Sequence, residues 1–228
     1  MIEDEDLETT ETTEVANSIN INILWLPIAV SVICLAIIVI LLGFFISQNL
    51  YNPDILPTLS ELARKYPQNK IFAIGFSIEG VLIFILSCFI ISSLKIHGIT
   101  WARFLYIPSS LSSISFICMS SCGLNDNIFV HGLFLVMSFI FILLFMILVH
   151  IGIMQAQLTK FHRFKFLLIL FATLTVIALS VITPLEESYV TTCIKAISQY
   201  VLIFCVFLYI GLWIVDMKEI EITFQISD

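Results

Sequence analysis

Glu79 is the one charged group in the apolar run Ile71–Ser92. An ionised carboxylate within a bilayer costs several kcal/mol unless it is paired, hydrated or protonated, so something must accommodate it. Ala73, Ser77, Gly80 and Ser87 form a small-residue stripe beside it at helical spacing. Such a stripe lets a second helix approach closely and turns Glu79 toward a bundle interior rather than lipid. His131, Lys195, Gln199 and Tyr200 fall at similar depth in two other apolar runs. These five residues make a candidate intramembrane polar cluster that could bind a lipid headgroup or relay protons. The plainer reading is a set of interhelical hydrogen bonds.

Other chemistry is thinly represented. The chain has no GxSxG, HExxH, CxxC, Gly-rich phosphate loop or EF-hand loop, so no complete catalytic or metal-binding pattern supports an enzyme and no cofactor is implied. Cys34, Cys88, Cys118, Cys122, Cys193 and Cys205 lie within or at the ends of apolar runs, where Cys usually packs as a small apolar residue. Cys122 and Cys193 border the same predicted non-cytosolic face, so a disulfide between them is an alternative to packing. His97, His150 and His162 are too scattered for a metal site. The strip Lys160–Lys165, KFHRFK, suits either an interfacial anchor for anionic headgroups or a plain topology signal.

These residues must be positioned by membrane helices. The chain has 228 residues, 60% of them apolar and 12% charged, against about 45–50% and about 25% in soluble domains. Its mean hydropathy is +1.08. A helix needs about 20 mostly apolar residues to cross a bilayer, and six segments qualify: about 23–46, 71–92, 103–122, 128–151, 166–182 and 194–215. The expected fold class is all-α, an integral membrane bundle of six transmembrane helices. The third segment is diluted by seven serines from Ser109 to Ser121, whose hydroxyls can return to the helix or bond a neighbour, so it is expected to be buried among the others. Between the first two spans, a Pro-bearing loop is expected to hold one helical turn in SELARK.

Glu3, Asp4, Glu5, Asp6, Glu8, Glu11 and Glu14 account for the net charge of −7. This acidic head, residues 1–22, reads as a disordered, solvated cytosolic segment, with Thr9, Thr10, Thr12 and Thr13 as phosphorylation candidates. The tail, residues 216–228, alternates apolar and polar residues and suits either a strand or a sorting signal. Six Lys and Arg on the side of the termini against three on the other favour cytosolic termini. Trp25, Trp101 and Trp213 fall near the same predicted border, as an aromatic belt would. No basic footprint for nucleic acid is present.

The stretch Ser60–Phe72, SELARKYPQNKIF, resembles the first non-cytosolic loop and second span of the damage-regulated autophagy modulator (DRAM) family, grouped with the Frag and Sfk membrane proteins and their CWH-type N-terminal relatives. Ser60, Glu61, Pro67, Ile71 and Phe72 match its pattern without a gap. Phe129-Val130-His131 resembles the Val-His opening of the fourth span, and Ala196–Tyr200, with Ser198, and Asp216 resemble the last. Leu62-Ala63 replaces the family's Thr-Gly, Gln199 replaces an acid, and Glu79 has no counterpart. The resemblance implies a multi-pass protein of endomembranes (lysosome or Golgi) or the plasma membrane. Its relatives include lysosomal proteins promoting autophagy, plasma-membrane proteins affecting lipid asymmetry, and Golgi factors for remodelling the lipid of glycosylphosphatidylinositol (GPI) anchors. The expected function is non-enzymatic, in autophagy or membrane-lipid organisation, with membrane lipids and other membrane or cytosolic proteins as partners. The alternatives are a GPI-anchor lipid-remodelling factor, in which Glu79 or His131 would do acid-base work, and a proton-coupled carrier.

Overall fold

A computed structural model describes residues 18–20, 25–48, 56–123, 127–158, 161–182, 188–217 and 223–225. The chain divides into two units, residues 24–220 and a small unit of residues 1–23 with 221–228. In the small unit, β1 (Ser18–Asn20) pairs antiparallel with β2 (Thr223–Gln225), Ile19 opposite Phe224. The alternating tail therefore contributes a strand. The acidic residues and the threonines of the head lie outside the described residues.

In the larger unit, α1 (Trp25–Ser47), α3 (Gln68–Ile96), α5 (Ile128–Gln155), α6 (His162–Ile182) and α7 (Tyr189–Gly211) are five of six helices among the described residues that are long and apolar enough to cross a membrane. The sixth crossing joins a 3-10 turn, Thr100–Leu105, to α4 (Tyr106–Ser121). A short α2 (Leu59–Leu62) lies in the first loop and overlaps the start of the predicted SELARK turn. After α7 the chain turns at Leu212 and resumes as α8 (Trp213–Met217).

The six crossings close into a ring. Helix α1 packs on α3, α3 on α4, α4 on α5, α5 on α6, α6 on α7, and α7 back on α1. Because lipid tails are as apolar as the side chains, close packing and interhelical hydrogen bonds must hold such a ring together. The small-residue stripe of α3 does this against α4. A Cβ on Gly80 would stand 3.1 Å from the Ser113 carbonyl oxygen and 3.0 Å from Ile117, and the Ser77 and Ser120 hydroxyls bond at 2.9 Å. Of the seven serines expected to hide in this crossing, Ser109, Ser112, Ser113, Ser115 and Ser120 are buried, Ser110 is half-buried and Ser121 is exposed.

At the end opposite α2, Tyr209 donates to the Met146 carbonyl at 3.1 Å across the bundle, and its ring and that of Phe145 meet Trp213 edge-on at 5.7 and 6.0 Å. Tyr209→Phe is expected to destabilise the protein by about 0.6–1.7 kcal/mol, the range for single hydrogen bonds inside membranes. Reversible unfolding in mixed micelles measures it. Trp213 corrects the aromatic-belt expectation, being 1% exposed, because it lies one turn after the buried Tyr209 and packs against its ring. Lys165 departs from the interfacial-anchor alternative for KFHRFK. It is buried, within electrostatic reach of His150, whereas His162 and Arg163 are exposed.

Candidate functional site

Three helix caps position the polar groups at the α2 end of the bundle. Thr58 and Glu61 form a capping box that starts α2: Thr58 Oγ1 accepts from the Glu61 amide at 3.3 Å, and Glu61 Oε2 accepts from the Thr58 amide at 2.6 Å. This places Ser60 in the single turn of α2. The Asn127 side chain caps α5 by accepting from the Phe129 and Val130 amides, both at 3.1 Å, which sets His131 in the first turn. Ser188 and Thr191 cap α7 in the same reciprocal way, placing Gln199 and Tyr200 about three turns in.

The consequence is a buried pair. Ser60 Oγ lies 2.8 Å from His131 Nε2, and both residues are buried. His131 Nδ1 faces two oxygens that can only accept, the carbonyls of Met119 at 3.1 Å and Cys122 at 2.8 Å. Nδ1 must therefore carry a hydrogen, and in the neutral ring Nε2 accepts the Ser60 hydroxyl. Gln199 Oε1 accepts from the Leu59 amide at 3.2 Å, and Tyr200 donates to the Pro57 carbonyl at 3.1 Å. A cavity of about 10 Å³ lies against Ser60, walled by Gln199, Phe72, Phe76, Phe116, Phe139 and Ile203 among others.

The expected cluster is thus divided. His131, Gln199 and Tyr200 converge on the α2 loop. Lys195 is half-buried nearby in α7 with no hydrogen bond to them. Glu79 is fully buried, and neither of its oxygens has a hydrogen-bond partner among the described residues. It lies on the face of α3 that meets α1: Gly75, one turn earlier, abuts Ile37, and Cys34 is within electrostatic reach of Glu79. Of the motif residues, Glu61 is a cap, Pro67 precedes α3, Ile71 is half-buried, Phe72 walls the cavity, and Ser198 is buried. Asp216 falls in α8, its side chain outside the described ones. Cys122 and Cys193 are free thiols, so the disulfide considered from the sequence is not formed here.

Sequence reasoning named Ser60 and His131 separately and missed their pairing; the only signal was that both stood in the family pattern. It also missed a groove of about 500 Å³ between α1 and α7, lined by Ser31, Cys34, Leu35, Ile38, Tyr200, Ile203, Phe204, Phe207, Leu208 and Gly211. Its floor is fixed where Ser31 Oγ lies 3.0 Å from the carbonyls of both Pro27 and Phe207.

The model of one protein family, described as the Frag1/DRAM/Sfk1/Cwh43P N-terminal domain, matches residues 22–220. No curated protein and no solved structure matches the chain.

Proposed function

The chain belongs to the Frag1/DRAM/Sfk1/Cwh43P N-terminal domain family, and from that premise we propose that this multi-pass membrane protein organises membrane lipids by holding an acyl chain between α1 and α7. The observation that carries this reading is the groove. It is apolar along nearly its whole wall, it lies within two membrane crossings, and its volume is in the range of small-molecule sites. Its rim residues Leu35 and Phe204 are exposed, so the groove opens toward hydrocarbon, where the one abundant occupant of matching chemistry is a lipid tail. The setting is an endomembrane, lysosomal or Golgi, or the plasma membrane. The Lys and Arg distribution supports cytosolic termini, and a role in autophagy would follow from the lipids held rather than from a separate site.

A photoactivatable phospholipid with a diazirine in its acyl chain tests the proposal on the purified full chain in vesicles. Adducts are expected to concentrate on Leu35, Phe204 and Leu208, and Leu208→Trp is expected to reduce them several-fold. Adducts spread evenly to Leu174 and Val181 of α6, which are also exposed, would show only ordinary lipid contact and overturn it. A lipid-remodelling reading is favoured by a different observation, the Ser60–His131 pair.

A further inference from the structure

We infer that Ser60 is an activated serine nucleophile that accepts an acyl group from a lipid ester, with His131 as its base and Gln199 as the donor to the oxyanion. The inference rests on the lipid-handling reading for the class of substrate, and on geometry for the residues.

Nucleophilic serines need a base within hydrogen-bond reach and a third group that orients the base. Both requirements are met. The two carbonyls on Nδ1 leave the Nε2 lone pair facing the Ser60 hydroxyl at 2.8 Å. These carbonyls do for the ring what a carboxylate does in a serine triad: they fix its tautomer and its direction. Gln199 supplies the remaining part. Its Oε1 is taken by the Leu59 amide, while its Nε2 has no partner among the described residues and the side chain walls the cavity beside Ser60. An amide N–H donor at a developing oxyanion is the usual means of stabilising acyl-transfer intermediates.

The surroundings select the substrate. At about 10 Å³ the cavity has room for one small group, enough for a carbonyl and not for a chain, and its other walls are aromatic and aliphatic. Ile203 walls both this cavity and the α1–α7 groove. Ile203 is thus a shared wall, and movement of its side chain would open the cavity beside Ser60 to the ester carbonyl of a lipid lying in the groove.

In the first step Ser60 Oγ bonds to the ester carbonyl carbon and its proton passes to His131 Nε2. The carbon–oxygen bond to the leaving alcohol then breaks, and that alcohol takes the proton from Nε2. The acyl group is left as an ester on Ser60, and water or a second lipid hydroxyl releases it by the same steps in reverse. No oxidant, reductant or metal enters the balance.

The test uses the purified full chain with a long-chain alkyl fluorophosphonate, which traps activated serines as the Ser60 oxygen bonds phosphorus and fluoride leaves. Mass spectrometry is expected to place the adduct on Ser60. Ser60→Ala should abolish it, and His131→Gln, which keeps a polar side chain of similar reach, should slow it by about a hundredfold or more. Ile203→Ala should accelerate the long-chain probe more than a short-chain one. Melting curves of each variant separate loss of reactivity from loss of fold. Absence of a Ser60 adduct in both wild type and Ile203→Ala would overturn the proposal, as would a rate indifferent to His131→Gln in a folded variant. If lipid crosslinks still concentrate in the groove in that case, the nucleophile alone falls. If Ser60 reacts while the groove captures nothing, the groove reading falls instead.

Discussion

Glu79→Met is expected to raise the melting temperature of the detergent-purified protein by several degrees. The carboxyl group is fully buried between α3 and α1 and hydrogen-bonded to nothing among the described residues. A buried polar group left unsatisfied costs about 1–3 kcal/mol, and more when charged. Methionine has nearly the same length, fills the same space and carries no such penalty. Thermal unfolding followed by tryptophan fluorescence would register the gain. A fall in melting temperature would mean that Glu79 makes a stabilising interaction in the membrane protein, and would remove it from the class of groups retained at the expense of stability. Such groups inside membranes are commonly functional, so the same variant belongs in the lipid-crosslinking assay.

Gly80→Leu is expected to act in the opposite direction and with wider reach. The position has no room for even a Cβ at ordinary contact distance, and one of the obstructing atoms is the Ser113 backbone carbonyl, which cannot swing aside. Overpacking of this kind costs about 1–3 kcal/mol when neighbours can adjust, and here α4 must move as a whole. The same displacement would break the Ser77–Ser120 bond and shift the C-terminal end of α4, whose Met119 and Cys122 carbonyls hold His131. Lower stability and slower fluorophosphonate labelling of Ser60 are expected together. Unchanged labelling in a destabilised variant would show that the His131 geometry does not depend on the α3–α4 contact.

The membrane crossings were legible because hydropathy is a local property: α1 begins within two residues of its expected start, and the SELARK turn lies where α2 forms. Burial of Glu79 was legible for a similar reason, since the small residues beside it repeat at helical spacing along one segment. The Ser60–His131 pair was not. Its members are 71 positions apart, and their meeting depends on how far α4 extends, because two carbonyls at its end aim the imidazole. Nothing in the spacing of apolar residues encodes that length. The α1–α7 groove was hidden for the same reason, as it is the space left between the first and last crossings of a closed ring. Trp213 shows the limit from the other side. Its position near a membrane border suggested an interfacial ring, yet it continues the buried face of Tyr209 and packs against Phe145.

The serine-rich α4 crossing also bears on how the protein is made. Half of its most apolar stretch is buried by neighbours, against 22% for α1 and for α6, and Ser112 and Ser120 find hydrogen-bond partners on the adjoining α5 and α3. Helices such as α1 can partition into lipid on their own as they leave the ribosome, whereas α4 is a poor candidate for independent insertion. Its residence in the bilayer is a collective property, secured when α3 ahead of it and α5 behind it close around it during biogenesis.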